Sequence, residues 1–111
     1  MAYDKGLFER LELICATIPT LFPKKMFGGI CWQYGGNICF DILNDFLILR
    51  VGLDISATLL QKANIKPMDI TGKVMKNWVM VTPDGYEEDK TLTEYTTLAL
   101  NFVKILPPKL T

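Results

Sequence analysis

Apolar positions near the start of the chain recur at helical spacing. Leu7, Leu11, Ile14 and Ile18 form a stripe, widened by Phe8 and Cys15, while Glu9, Arg10 and Glu12 take the other face. Asp4 stands where an N-cap is needed, so the pattern predicts a helix to about Thr17, ended by Pro19 and Pro23. The period then changes from 3.6 to two. A strand is predicted over about Lys25 to Tyr34, a second over Asn37 to Leu43 and a third over Phe46 to Val51. Gly35-Gly36 and Asn44-Asp45 are the hairpin turns between them, because these residue types accept positive φ. In the third strand Leu47, Leu49 and Val51 are all apolar and are assigned to the core. In the second, Ile38, Phe40 and Ile42 are expected on one face, with Cys39, Asp41 and Leu43 on the other.

Gly52 breaks the meander. Asp54 is read as the cap of a short helix to about Ala63, with Ile55, Leu59 and Leu60 inward and Asn64 as a left-handed C-cap. Ile65 to Thr71 is extended and contains Pro67, which suits an edge strand. Gly72-Lys73 and Pro83-Asp84-Gly85 read as turns around a strand from Asn77 to Thr82. Thr91-Leu92-Thr93-Glu94 has capping-box spacing, so the last helix is expected to begin there. Leu92, Tyr95, Leu98, Ala99, Phe102, Val103 and Leu106 give it one broad apolar face before Pro107-Pro108. The order α-β-β-β-α-β-β-α predicts an α+β two-layer sandwich, helices packed on a mainly antiparallel five-stranded sheet. With 111 residues and no linker or repeat, residues 1–111 read as a single domain.

Composition removes much chemistry. There is no histidine, hence no Ser-His or Cys-His pair and no imidazole ligand. Ser56 is the only serine. Cys15, Cys31 and Cys39 are odd in number, and none lies in a C-x-x-C, so reduced thiols in a cytoplasmic protein are expected. Cys31 and Cys39, on neighbouring strands, are expected on opposite faces as small apolar fillers rather than as a metal pair. No apolar run approaches the roughly 20 residues needed to span a bilayer. The formal net charge of zero conceals a division: residues 20–80 hold seven cationic and four anionic side chains, and residues 81–111 hold three and five.

The cationic middle supplies the candidate binding residues. Lys25, Gly28 and Gly29 could form an anion loop, since adjacent glycines let a backbone approach a ligand; they equally suit a strand entry with close packing. Arg50, late in an apolar strand, suits bidentate recognition of a carboxylate or phosphate, or pairing with Asp41 across the sheet. Lys73, Lys76 and Trp78 form a basic-aromatic cluster to which Lys24, Lys25 and Arg50 could add, though Trp78 also suits a core anchor. Asp84, Glu87, Glu88 and Asp89 precede the last helix, where its dipole accounts for them.

Lys25-Met26-Phe27-Gly28-Gly29, the hairpin with Asn37-Ile38-Cys39, Leu49-Arg50-Val51-Gly52, the run from Pro67 through Gly72-Lys73 to Trp78-Val79, and Leu106-Pro107-Pro108-Lys109 occur in an order that resembles the N-terminal domain family of the TfoX competence regulators. The resemblance implies the same α+β sandwich, similar to secretion-chaperone-like folds. It implies no catalytic residues and no cofactor, and the chain is expected to correspond to the first module of the longer regulators, without their second, helical domain. The expected role is a non-enzymatic regulatory module that binds a protein partner or itself, near the edge at Pro67 or as a homodimer. The alternatives are a nucleic-acid-linked regulator with a weak basic face, and a small anionic-ligand binder or enzyme with a site near Lys25 and Arg50.

Overall fold

The computed structural model describes residues 3–26, 29–69, 72 and 74–108. The α+β sandwich is present. Helix α1 spans Lys5–Cys15, α2 Leu53–Leu59 and α3 Asp89–Lys104. Strands β1 (Phe22–Met26), β2 (Gly29–Tyr34), β3 (Asn37–Leu43), β4 (Phe46–Arg50), β5 (Ile65–Pro67) and β6 (Trp78–Val81) form one antiparallel sheet in the order β1-β2-β3-β4-β6-β5. The sheet has six strands rather than five, because the stretch read as one strand from Lys25 is two, paired from Met26↔Gly29 to Phe22↔Gln33. Pro23, Lys24 and Lys25 carry no alternating apolar signal because β1 is an edge strand, where an imide nitrogen and charged side chains are tolerated.

Local chemistry explains most boundaries. Asp4 caps α1 as expected, its Oδ1 accepting from the Leu7 N–H at 3.0 Å. Gly35, Gly36 and Asn44 take positive φ in the two hairpin turns. The cap of α2 is Gly52 (φ 87°) rather than Asp54, which lies in the helix's first turn. That helix is shorter than expected, and it buries Ser56 and Leu59 while Ile55 faces outward. Asn64 is not left-handed, Asn44 being the one described non-glycine residue with positive φ. Helix α3 begins two residues before Thr91, so the capping box does not form; its N-cap Glu88 makes no side-chain cap bond.

Helices α1 and α3 cover one face of the sheet, burying Leu7, Leu11, Leu92, Ala99 and Val103 against Trp32, Phe40, Leu47, Leu49 and Val79. Trp32 stacks on Phe40 at 5.3 Å between centroids and touches Phe8 at 5.7 Å. A bulge opposite Trp32/Gln33 shifts the hairpin register, so that Cys31 faces Asp41. The extra residue is Cys39, which joins the core beside Phe40, while Ile38 does not. Cys31 and Cys39 therefore lie on opposite faces, as expected, although strict alternation would have placed Cys39 with Asp41. Arg10 ties the layer together: it donates to the Tyr86 carbonyl at 2.7 Å, the Glu87 carbonyl at 3.1 Å and Asp89 Oδ1 at 3.0 Å, and it lies 5.8 Å from the Tyr86 ring centroid. Among the described residues no helix is long and apolar enough to cross a membrane.

Candidate functional site

The sheet distributes the basic residues instead of gathering them. Lys25 is exposed on edge strand β1, while Arg50 closes β4, three strands away and so at least roughly 14 Å distant at the usual strand spacing. Lys25 and Arg50 thus do not form one anion site. Gly28 and Lys73 lie outside the described residues. Gly29 serves the packing of the sheet. It is buried, and a Cβ there would overlap the backbone carbonyl oxygen of Ile42 on β3. Its lack of a side chain lets two strand backbones approach.

Arg50, Lys76 and Trp78 do share one end of the sheet. Arg50 and Trp78 are cross-strand partners, and the guanidinium lies 5.5 Å from the Trp78 ring centroid. Trp78 is half-buried on the face away from α1 and α3 and is not part of the core cluster. Arg50 does not pair with Asp41; among the described residues the one ion pair is Arg10–Asp89. Arg50 Nε is enclosed and without a hydrogen-bond partner.

Trp78 also lines an apolar groove of about 220 Å³. Helix α2 contributes Leu53, Ser56, Ala57 and Leu60, the segment before β6 contributes Val74, Met75 and Lys76, and β5 contributes Pro67. The segment is held by its own backbone: the Met75 N–H donates to the Met68 carbonyl at 2.9 Å, and the Trp78 N–H to the Met75 carbonyl at 3.1 Å. Met68 is buried, which leaves its neighbours outside. Leu53, Val74 and Met75 are 58%, 50% and 44% exposed, and Ile55 on the same helix is 37% exposed. Three of the seven large apolar side chains exposed among the described residues, Leu53, Val74 and Met75, thus gather here, whereas Ile55 does not line the groove and Leu13, Phe22 and Ile105 stand on other elements. Such grouping marks interaction surfaces rather than the ordinary scatter of surface apolar atoms. A wider depression of about 730 Å³, which includes Asp84, Glu87 and Glu88, surrounds the start of α3 and is polar.

The thiols are arranged for packing. Burial pushes Cys15 up to about 12, with Glu12 adding to it. Burial likewise pushes Cys39 up to about 12, with Cys15 adding and Arg50 opposing. Cys31 is raised by burial and then by Asp41, with Lys24 opposing. Thiols so shifted hold their protons, and the thiolate is the nucleophilic and metal-ligating form. No group of three potential metal-ligating side chains occurs among the described residues. Asp41 is the polar residue that reading the sequence undervalued. It sits in mid-β3 facing Cys31 and Ile48, with Oδ1 enclosed and unpartnered, and burial pushes its carboxyl up to about 7. The visible signal was one acid inside the apolar run Ile38–Leu43. The signal for the groove was Val74-Met75, an apolar pair between lysines in a segment otherwise read as a turn.

A family model described as the TfoX N-terminal domain matches residues 14–103. No curated protein matches the chain, and no solved structure does.

Proposed function

The chain belongs to the TfoX N-terminal domain family, and from that premise we propose that it is a non-enzymatic cytoplasmic regulatory module that binds a protein partner at the groove between α2 and the segment before β6. The observation that carries this reading is the gathering of Leu53, Val74 and Met75, each close to half exposed or more, around one apolar groove. Removing such a patch from water is the main favourable term in protein association, and a monomer gains nothing from displaying it. Trp78 and Met75 suit the role, since an aromatic ring and a flexible thioether adapt to a partner surface.

The test is photo-crosslinking in the native cell. A photoreactive side chain at Ala57, which lines the groove, is expected to give a discrete protein adduct. The same group at Leu13, exposed on α1, is expected to give none. Adducts from Leu13 alone, or from neither position, would overturn the assignment of the groove.

A further inference from the structure

We infer that the segment received by this groove is an amphipathic helix that presents two apolar side chains one turn apart and, beside them, an acidic side chain to Lys76 and Arg50. The inference rests on the docking reading and adds the chemistry of the occupant. Three observations select it.

The first is size. Apolar cavities of about 150 Å³ hold a benzene-sized group. A groove of about 220 Å³ therefore takes one large or two modest apolar side chains, not a folded surface. Side chains at i and i+4 of a helix supply such a pair on one face.

The second is the state of the neighbouring sheet edge. The alternative occupant, an added strand, needs a row of free backbone donors and acceptors. Edge strand β5 has three residues, and Pro67, which lines the groove, has no N–H to give. The third is charge. Among the described residues, Lys76 is the one ionisable residue lining the groove, and no acid lines it. Arg50 lies over the ring of Trp78, another lining residue. Among the described residues neither cation is in an ion pair. Two uncompensated cations beside an apolar slot favour a partner with a carboxylate at that end and disfavour a basic one.

The test uses the full chain, immobilised, against a displayed library of helix-favouring 16-residue peptides. Enriched peptides are expected to share an apolar pair spaced three or four residues apart and an excess of Asp and Glu. A representative peptide, labelled and followed by fluorescence anisotropy, is expected to bind more weakly as salt rises from about 50 to about 150 mM, as exposed charge pairs are screened. Lys76→Glu is expected to weaken it roughly three- to tenfold, and exchanging the peptide's acid for Lys to restore binding to that variant. Leu53→Asp, at an exposed position, is expected to cost more than about tenfold without lowering the thermal midpoint. Enriched peptides that are basic or extended, or binding indifferent to both Lys76→Glu and Leu53→Asp, would overturn the inference. A native partner crosslinked at Ala57 through a basic or extended segment would overturn it while leaving the docking reading intact. Absence of any adduct at Ala57 would remove the docking reading itself, whatever the peptides do.

Discussion

Replacing Asp41 by asparagine should make folding stability less sensitive to pH, and the size of the effect follows from the carboxyl's surroundings. Asp41 lies in the middle of β3, with Cys31 of β2 and Ile48 of β4 as cross-strand partners. Among the described residues, the charged groups on the same face are Lys24, beyond Cys31, Arg50, one diagonal step away on β4, and Lys66, in the same row on β5 beyond Ile48 and Met80, and none reaches it with an ion pair. Burial without a partner raises its pKa from 3.8 to about 7. The folded state therefore keeps a proton that the unfolded chain gives up near pH 4. Stability is intact below the unfolded value, falls with rising pH by about 1.4 kcal/mol per unit between the two values, and levels off above 7. The full penalty is at most about 4 kcal/mol. An asparagine side chain has the same shape and no charge, so pH-independent costs largely cancel when the two proteins are compared. Urea unfolding of both at pH 5, 6, 7 and 8 is the assay. The stability of Asp41→Asn relative to the wild type should climb by roughly 2–3 kcal/mol from pH 5 to 8. A flat difference over that range would refute the reasoning and mean that Asp41 reaches water or a cation when ionised.

Further substitutions probe the packing. Gly29→Ala would push a methyl group into the Ile42 carbonyl, and chemical denaturation should show a loss of about 3 kcal/mol. Gly52→Ala combines φ 87°, ψ 168° with a Cβ 2.7 Å from the Phe102 ring, so its thermal midpoint should fall at least as far. Arg10→Ala should cost about 1–2 kcal/mol in urea, because two carbonyls and the Tyr86 ring lose their partner. Asp89→Asn should cost less than about 0.5 kcal/mol, since Asp89 is 88% exposed and its ion pair is well solvated.

The parts of the fold legible in the sequence are those decided by neighbours. Asp4 as a cap, the Gly35-Gly36 and Asn44 turns, and the alternation that sends Leu47, Leu49 and Val51 inward all depend on a few consecutive residues. The misreadings lie where pairing across the sheet decided. Phe22 to Met26 is a strand because β2 offers it a partner; its own sequence holds a proline and two lysines. The bulge at Cys39 exchanges the expected positions of Ile38 and Cys39, and no residue type announces it. Thr91-Leu92-Thr93-Glu94 has the form of a helix start, yet α3 extends back to Asp89, whose carboxylate meets Arg10 from α1. Of the candidate site, Arg50, Lys76 and Trp78 do share one end of the sheet, while Lys25 and Gly29 belong to the opposite side. Beyond the Val74-Met75 pair the groove was not legible, because α2 and the segment before β6 meet only in the folded chain.

The two edges of the sheet explain why a docking site would form beside β5 and be apolar. Both edge strands discourage strand addition by the same device. β1 carries Pro23, Lys24 and Lys25, and β5 carries Lys66 and Pro67. Proline withholds a donor, and an exposed lysine resists burial against another chain. An antiparallel sheet so protected cannot recruit a partner through its backbone, which leaves side-chain anchoring. On the β1 side Phe22 is exposed on a strand that also carries Pro23, Lys24 and Lys25. On the β5 side, α2 buries only Ser56 and Leu59 and presents Leu53 outward, against Val74 and Met75. If the groove serves association, the asymmetry should appear in solution. Phe22→Ser should leave peptide binding at the groove unchanged, while Met75→Ser should weaken it about tenfold, with thermal midpoints unaffected in both because each side chain is substantially exposed. Equal losses from the two variants would mean that binding follows bulk surface hydrophobicity, and the groove would then have no special standing.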